Sequence, residues 1–202
     1  MLEIHDLTKS FHQHIVLNHL NMKIQQGDLI YIHGINGSGK STLFKLICDI
    51  LKPDSGSIQL SEDTHIGALI ENPGFLENET LKFNLTFLAS LNQHYDANKI
   101  QKLCELFQLD YMSRIKLKNY SLGMRQKAGI IQAIMEDQNF ILLDEPTRGL
   151  DNESVKVFCH IINQLHLEGK TIIIAAHDYL KEIQYNQIYH LENGQFKQDE
   201  MD

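Results

Sequence analysis

Residues Leu29–Thr42 read LIYIHGINGSGKST, and this stretch decides the fold. Leu29–His33 is a short apolar run of buried-strand character. Directly after it, Gly34-Ile35-Asn36-Gly37-Ser38-Gly39-Lys40-Ser41 satisfies the phosphate-loop pattern G-x-x-x-x-G-K-[ST]. An amphipathic helix over Ser41–Leu51 is predicted next, so the pattern sits between a strand and a helix as it must. Glycines let the backbone wrap tightly and turn successive N–H groups toward phosphate oxygens. The helix adds its positive N-terminus. In such a loop Lys40 reaches the β- and γ-phosphates and the Ser41 hydroxyl ligates Mg²⁺.

Working outward, short apolar runs alternate with longer helical patterns, which predicts an α/β fold. Leu2–Leu7 and Ile15–Ile24 alternate with period two and read as antiparallel strands. Pro53-Asp54-Ser55-Gly56 is turn chemistry, followed by strands at Ser57–Leu60 and His65–Ile70. From Asn72 to Asn139 the pattern changes: Thr80–Leu91, Ala97–Leu109 and Leu122–Asp137 have helical spacing and no convincing strand intervenes. The α/β pattern resumes with a strand at Phe140–Leu143, a helix at Asn152–Leu167 and a strand at Thr171–Ala175. A short helix at Asp178–Tyr185 and a last strand at Gln187–Leu191 lead to Asn193-Gly194. The organisation expected is one domain over 1–202, with a catalytic α/β core at 1–71 and 140–202 and a helical subdomain at 72–139.

The 202 residues carry 18 Lys+Arg against 26 Asp+Glu, a formal net charge of −8. That balance argues against a protein that coats nucleic acid by bulk electrostatics. With 43% hydrophobic and 22% charged residues the chain is neither disordered nor fibrous. Cys48, Cys104 and Cys159 are dispersed in apolar helical contexts and read as buried free thiols of a reducing cytosol. The N-terminus predicts no signal peptide, and no run approaches the ~20 apolar residues of a membrane span.

A second site supports the first. Phe140–Leu143 ends in Asp144-Glu145, and consecutive carboxylates at the end of an apolar strand are costly unless they face a cation or a reacting water. Asp144 fits a Mg²⁺ partner, acting through water. Glu145 fits a base that polarises water for attack on a γ-phosphate. His177, after the strand Thr171–Ala176, falls at the same C-terminal sheet edge, where it could contact that phosphate.

The order of these motifs resembles the ATP-binding cassette (ABC) nucleotide-binding domain over nearly the whole chain. Gly34–Thr42 resembles its Walker A motif, Tyr120-Ser121-Leu122-Gly123-Met124-Arg125-Gln126 its signature, and Ile141–Glu145 its Walker B strand with the catalytic glutamate. Gly149-Leu150-Asp151 resembles the D-loop, His177 the switch histidine, and Phe11 the aromatic that stacks on adenine. The fold implied is a P-loop NTPase core with a parallel sheet, an antiparallel β subdomain and an α-helical insert. The resemblance implies two cassettes paired head to tail, as a homodimer or heterodimer. ATP is then held between Walker A of one and Ser121 and Gly123 of the other, and Asp151 lies at the dimer contact.

Two departures narrow the resemblance. Where the family usually has a glutamine, Ile70-Glu71-Asn72-Pro73-Gly74-Phe75 resembles a glutamate variant associated with transporters of bacitracin, lantibiotics and similar peptides. Glu71 is then a candidate Mg²⁺ ligand. The form Ser121-Leu122-Gly123-Met124 resembles the same antibiotic-efflux branch. The segment Leu60–His65 is short, and the chain stops soon after Asn193-Gly194, before the extension many relatives carry. Phe75 and Leu76 lie where the family receives a cytoplasmic helix of the membrane subunit. Phe83 and Phe87, one helical turn apart, read either as part of that surface or as the insert's own core.

The function implied is the ATP-binding and ATP-hydrolysing subunit of an exporter of antimicrobial peptides or antibiotics. It would use ATP and Mg²⁺, bind a separate transmembrane permease and no nucleic acid, and sit on the cytoplasmic face of the cell membrane. The alternatives are the ATPase of an importer or of lipid or haem export, and a soluble ABC ATPase outside transport.

Overall fold

The computed structural model describes residues 1–91 and 95–198. In chain order the elements are β1 (Leu2–Phe11), β2 (His14–Ile24), β3 (Leu29–His33), α1 (Lys40–Ile47), β4 (Ser55–Leu60) and β5 (Ile66–Leu69). Then come α2 (Leu81–Leu91), α3 (Ala97–Leu106), a 3₁₀ turn at Leu117–Asn119 and α4 (Leu122–Ile134). The chain closes with β6 (Phe140–Asp144), α5 (Asn152–Leu167), β7 (Thr171–Ala175), β8 (Gln187–Glu192) and β9 (Gln195–Gln198).

The described residues form two sheets. One has the order β5-β6-β7-β3-β8-β9, parallel except for the antiparallel edge strand β9. The other is antiparallel, β2-β1-β4. Burial on both faces explains the unbroken apolar runs of the central strands. Leu29, Tyr31, Ile141, Leu143, Ile172 and Ile174 pack into one core with α4, α5 and the helices after β5. Their neighbours Ile30, Ile32, Phe140, Leu142, Ile173 and Ala175 pack into a second core with β1, β2 and α1. At Gly67 on β5 a Cβ would stand 1.9 Å from the Ala133 carbonyl of α4, so only glycine allows this helix and strand to meet so closely.

Three local expectations are corrected. The segment 178–185 turns without forming a helix. Asn163 of α5 donates from Nδ2 to the Glu182 carbonyl and accepts from the Gln184 N–H, satisfying backbone groups a helix would otherwise pair. Tyr185 is buried and Tyr179 exposed, and each ring lies 5.3 Å from the Tyr31 ring. The strand expected as the last is followed by β9, because Asn193 (φ 51°) and Gly194 (φ 74°) make the tight turn of a hairpin. Of the cysteines, Cys104 and Cys159 are buried and Cys48 half-buried; all are free thiols, which burial pushes up to about 11 or 12.

Candidate active site

The strand edge, the glycine loop and α1 enclose a cleft of about 300 Å³. Gly37 and Gly39 hold positive φ, 81° and 109°, where side chains are strained. Gly39 is also the N-cap of α1 and offers no side-chain cap, which leaves the first helical N–H groups free for an anion. Asn36 through Thr42 line the cleft, together with Glu71, Asp144 and Glu145.

Its floor is the junction of α1 and β6. The Ser41 hydroxyl donates to Asp144 Oδ2 at 2.5 Å. A hydroxyl and a carboxylate side by side form a hard oxygen donor set that suits Mg²⁺. Burial pushes the Asp144 carboxyl above its ordinary value, against the pull of the Ser41 hydroxyl, the Glu71 backbone and the Lys40 charge. Lys40, also buried, donates from Nζ to the Gly34 and Ile35 carbonyls at 2.7 and 3.3 Å. Burial lowers its pKa, and the Glu145 and Asp144 charges oppose that shift.

Of the three buried side-chain polar atoms without a hydrogen-bond partner among the described residues, two belong to this cleft, Ser38 Oγ in the glycine loop and Glu145 Oε1 across from it; the third is the Tyr185 hydroxyl. Orphaned polar atoms are costly in a folded protein and mark places where a polar ligand binds. Together with the glycine loop and the Ser41–Asp144 pair, they fit a metal-bound nucleotide phosphate.

The wall beside Glu145 is tightly held. Glu145 has φ 47°, and its N–H donates to the Ala175 carbonyl at 2.7 Å. His177 Nε2 lies 2.5 Å from Asn36 Oδ1 of the glycine loop; at 3.3 Å from Glu145 Oε1 it is within ion-pair range of the second carboxylate but makes no hydrogen bond to it. Its backbone is anchored from below, where the buried Tyr31 hydroxyl donates to the Ala176 and His177 carbonyls at 3.1 and 3.2 Å. Burial pushes the Tyr31 phenol up to about 12, so it stays a donor.

Glu71 lines the cleft at φ 56°, and its carboxylate accepts from Lys45 Nζ at 2.6 Å. The side chain is 56% exposed, so this ion pair is a weak, salt-screened tether. Glu71 must leave Lys45 to reach a metal.

Other residues singled out in the sequence lie outside this cleft. Phe11 is exposed on β1 beneath the Lys9 ammonium, 5.5 Å from its ring centre. Ser121 caps α4, accepting from the Met124 N–H. Gly123 lies so close to Gly149 that a Cβ would stand 2.5 Å from that carbonyl. Asp151 caps α5 by accepting from the Ser154 N–H at 2.8 Å and lies 3.6 Å from Lys127. Phe75 packs into the core, whereas Leu76, Phe83 and Phe87 are exposed. The Phe83 and Phe87 rings stack 6.3 Å apart and border a shallow groove with Thr80, Lys82 and Thr86.

Sequence reasoning missed Val16, Gln126 and Arg148, which also line the cleft. Buried Gln126 donates from Nε2 to the Glu145 and Pro146 carbonyls at 2.9 and 3.0 Å. A polar residue on the apolar side of the Leu122–Ile134 pattern was the available signal. No helix among the described residues is long and apolar enough to cross a membrane.

The model of the ABC transporter family matches residues 17–148. The chain is 35% identical to the uncharacterized ABC transporter ATP-binding protein YdbJ of Bacillus subtilis (strain 168), covering 91% of this chain and 63% of that protein. It is 32% identical to the bacitracin transport ATP-binding protein BcrA of Bacillus licheniformis, over 89% of this chain and 62% of BcrA. To the lantibiotic transport ATP-binding protein SrtF of Streptococcus pyogenes it is 31% identical, over 92% of this chain and 83% of SrtF. The chain therefore spans under two thirds of the length of YdbJ and BcrA. Among solved structures it resembles a dimeric ATP-binding cassette in a post-hydrolysis state with ADP and Pi, with a TM-score of 0.85 at 22% identity over 98% of each chain. The architecture expected from the sequence, with its parallel sheet, antiparallel β sheet and helical insertion, is borne out by that likeness.

Proposed function

Because the chain belongs to the ABC transporter family as one of its ATP-binding domains, we propose that it binds and hydrolyses MgATP as the motor subunit of an exporter of antimicrobial peptides. The observation that carries the hydrolytic reading is the pairing of a glycine-loop cradle with the Ser41–Asp144 floor, faced by the unpartnered Glu145 Oε1.

Each residue has a role its geometry suits. The loop Gly34–Gly39 and the N-terminus of α1 bind phosphate oxygens, with Asn36, Ser38 and Thr42 on the lining. Lys40 exchanges the Gly34 and Ile35 carbonyls for phosphate. Ser41 and Asp144 hold Mg²⁺, joined by Glu71 once it leaves Lys45. That ion supplies positive charge to the phosphate oxygens. Glu145 holds the attacking water and His177 positions Glu145 against the loop. Phe11 stacks on adenine.

A second cassette completes the site, with Ser121 and Gly123 of one domain meeting the nucleotide of the other and Asp151 at their contact. Residues 72–139 form the helical subdomain that meets a separate permease at the cytoplasmic face of the membrane. On that subdomain the docking surface consists of exposed Leu76, Phe83 and Phe87, a setting for an amphipathic helix of the permease. Phe75 is buried in the core and is not part of this surface. The peptide cargo rests on the likeness to BcrA and SrtF and on the Glu71 and Ser121-Leu122-Gly123-Met124 variants.

Phosphate release from purified protein tests the enzymatic part. Glu145→Gln should lower turnover roughly a hundredfold or more while ATP still binds, and Lys40→Ala should weaken ATP binding itself. Wild-type turnover in the Glu145 variant would remove that residue from the base role, and unchanged affinity in the Lys40 variant would overturn the phosphate site. Affinity capture from detergent-solubilised membranes tests the transport part: a polytopic membrane protein near equal stoichiometry is expected. Recovery of none, where other membrane complexes survive, would refute it.

A further inference from the structure

Arg148 is the cleft's unassigned cation. It lines the same space as Asp144 and Glu145, and its guanidinium has no hydrogen bond or ion pair among the described residues. An arginine beside three carboxylates, Glu71, Asp144 and Glu145, usually closes a bidentate pair with one of them. Here each carboxylate is engaged elsewhere or faces another group. Asp144 holds Ser41, Glu71 holds Lys45 and Glu145 faces His177.

The backbone under Arg148 is fixed although its side chain is not. Its N–H donates to the Glu145 carbonyl at 3.1 Å, and the Leu150 N–H donates to the Thr147 carbonyl at 3.1 Å. Gln126 holds the Glu145 and Pro146 carbonyls, so the turn carrying Arg148 is pinned to α4. Gly149 follows at φ 75°, which completes the turn. A guanidinium with five donors and no partner, held on a rigid turn at the mouth of a phosphate cleft, is arranged to meet an anion that arrives from solution. The other cation on the lining, Lys40, sits deeper and already serves loop carbonyls. Arg148 therefore meets the end of the phosphate chain nearest Glu145.

We propose that Arg148 binds the terminal phosphate of the nucleotide in its own cleft and makes the site prefer a nucleoside triphosphate over a diphosphate. This rests on the reading of the cleft as an ATP site, and it adds a specificity residue to that site.

The test compares ATP and ADP affinities by displacement of a fluorescent nucleotide, in the presence of Mg²⁺ and at protein concentrations where light scattering shows a monomer. Wild type, Arg148→Ala and Arg148→Lys are measured. Arg148→Ala should bind ATP roughly tenfold more weakly, as expected for a lost charge-assisted hydrogen bond, with ADP affinity changed less than about twofold. Arg148→Lys should recover part of the ATP affinity, since it keeps the charge and loses the fork. Because the Arg148 side chain makes no contact that holds the fold, the melting temperatures should match. Equal losses for ATP and ADP, or none, would overturn the proposal, as would a selective loss seen only at concentrations that form dimers. If wild type binds neither nucleotide, the ATP-site reading fails instead, so the two failures are distinct.

Discussion

Replacing Tyr31 with phenylalanine removes a single hydroxyl and leaves the ring in place among Tyr179, Tyr185 and His33. The residue is 3% exposed, so water cannot replace the lost donor without entering the core. That hydroxyl serves the Ala176 and His177 carbonyls together. A neutral hydrogen bond contributes about 1 kcal/mol net, and a buried acceptor left unpaired costs about 1–3 kcal/mol. A loss of about 2 kcal/mol in folding stability follows, which for a domain of this size lowers Tm by about 4–8 °C. Differential scanning calorimetry measures it. The same change frees the backbone that carries His177, whereas among the described residues no hydrogen bond joins the Tyr31 side chain to the glycine loop or Lys40. Turnover should therefore fall severalfold with KM for ATP nearly unchanged. An unaltered Tm would refute the hydrogen-bond reasoning, and a lowered Tm with full turnover would show that Tyr31 supports the sheet without positioning the histidine.

Two more outcomes can be checked on the same footing. The folded Asp144 carboxyl binds its proton more tightly than the unfolded one, so its contribution to stability is greatest at low pH and is lost as pH rises through its raised pKa. Asp144→Asn should thus raise Tm at neutral pH while abolishing Mg²⁺-dependent turnover, and the gain should shrink on acidification; a lower Tm at neutral pH would contradict it. Gly67→Ala sets a methyl against the Ala133 carbonyl at an impossible distance and should cost several kcal/mol by displacing α4, which urea titration would show as a lower midpoint; an unchanged midpoint would refute the close approach.

Much of this could be read from residues in a row. The helix at Asn152–Leu167 and the strand at Thr171–Ala175 match their expected bounds, because Asp151 caps one and the other is buried on both faces. The phosphate loop was legible because its chemistry is local: glycines, lysine and serine act within a few residues of one another. What depended on distant partners was not. The 178–185 segment has helical spacing, but Asn163 takes its backbone groups from another element. Phe75, expected on a docking surface, is buried, and Phe83, left open between surface and core, is exposed, since burial is set by what packs above them. Tyr31 reads as one more core residue of a strand. Its polar work shows only when the end of a neighbouring strand is placed above it.

Gln126 has a mechanical consequence. One buried amide nitrogen grips two consecutive carbonyls of the turn after β6 from the first turns of α4. A planar amide holding two points resists both pulling and twisting, so the link behaves as a strut between the helical region and the carboxylate turn. Force applied to α4 from outside reaches the main chain of Glu145 through the Gln126 amide. The travel of the helix and the aim of the carboxylate are thereby geared to one another, with Gln126 as the tooth between them.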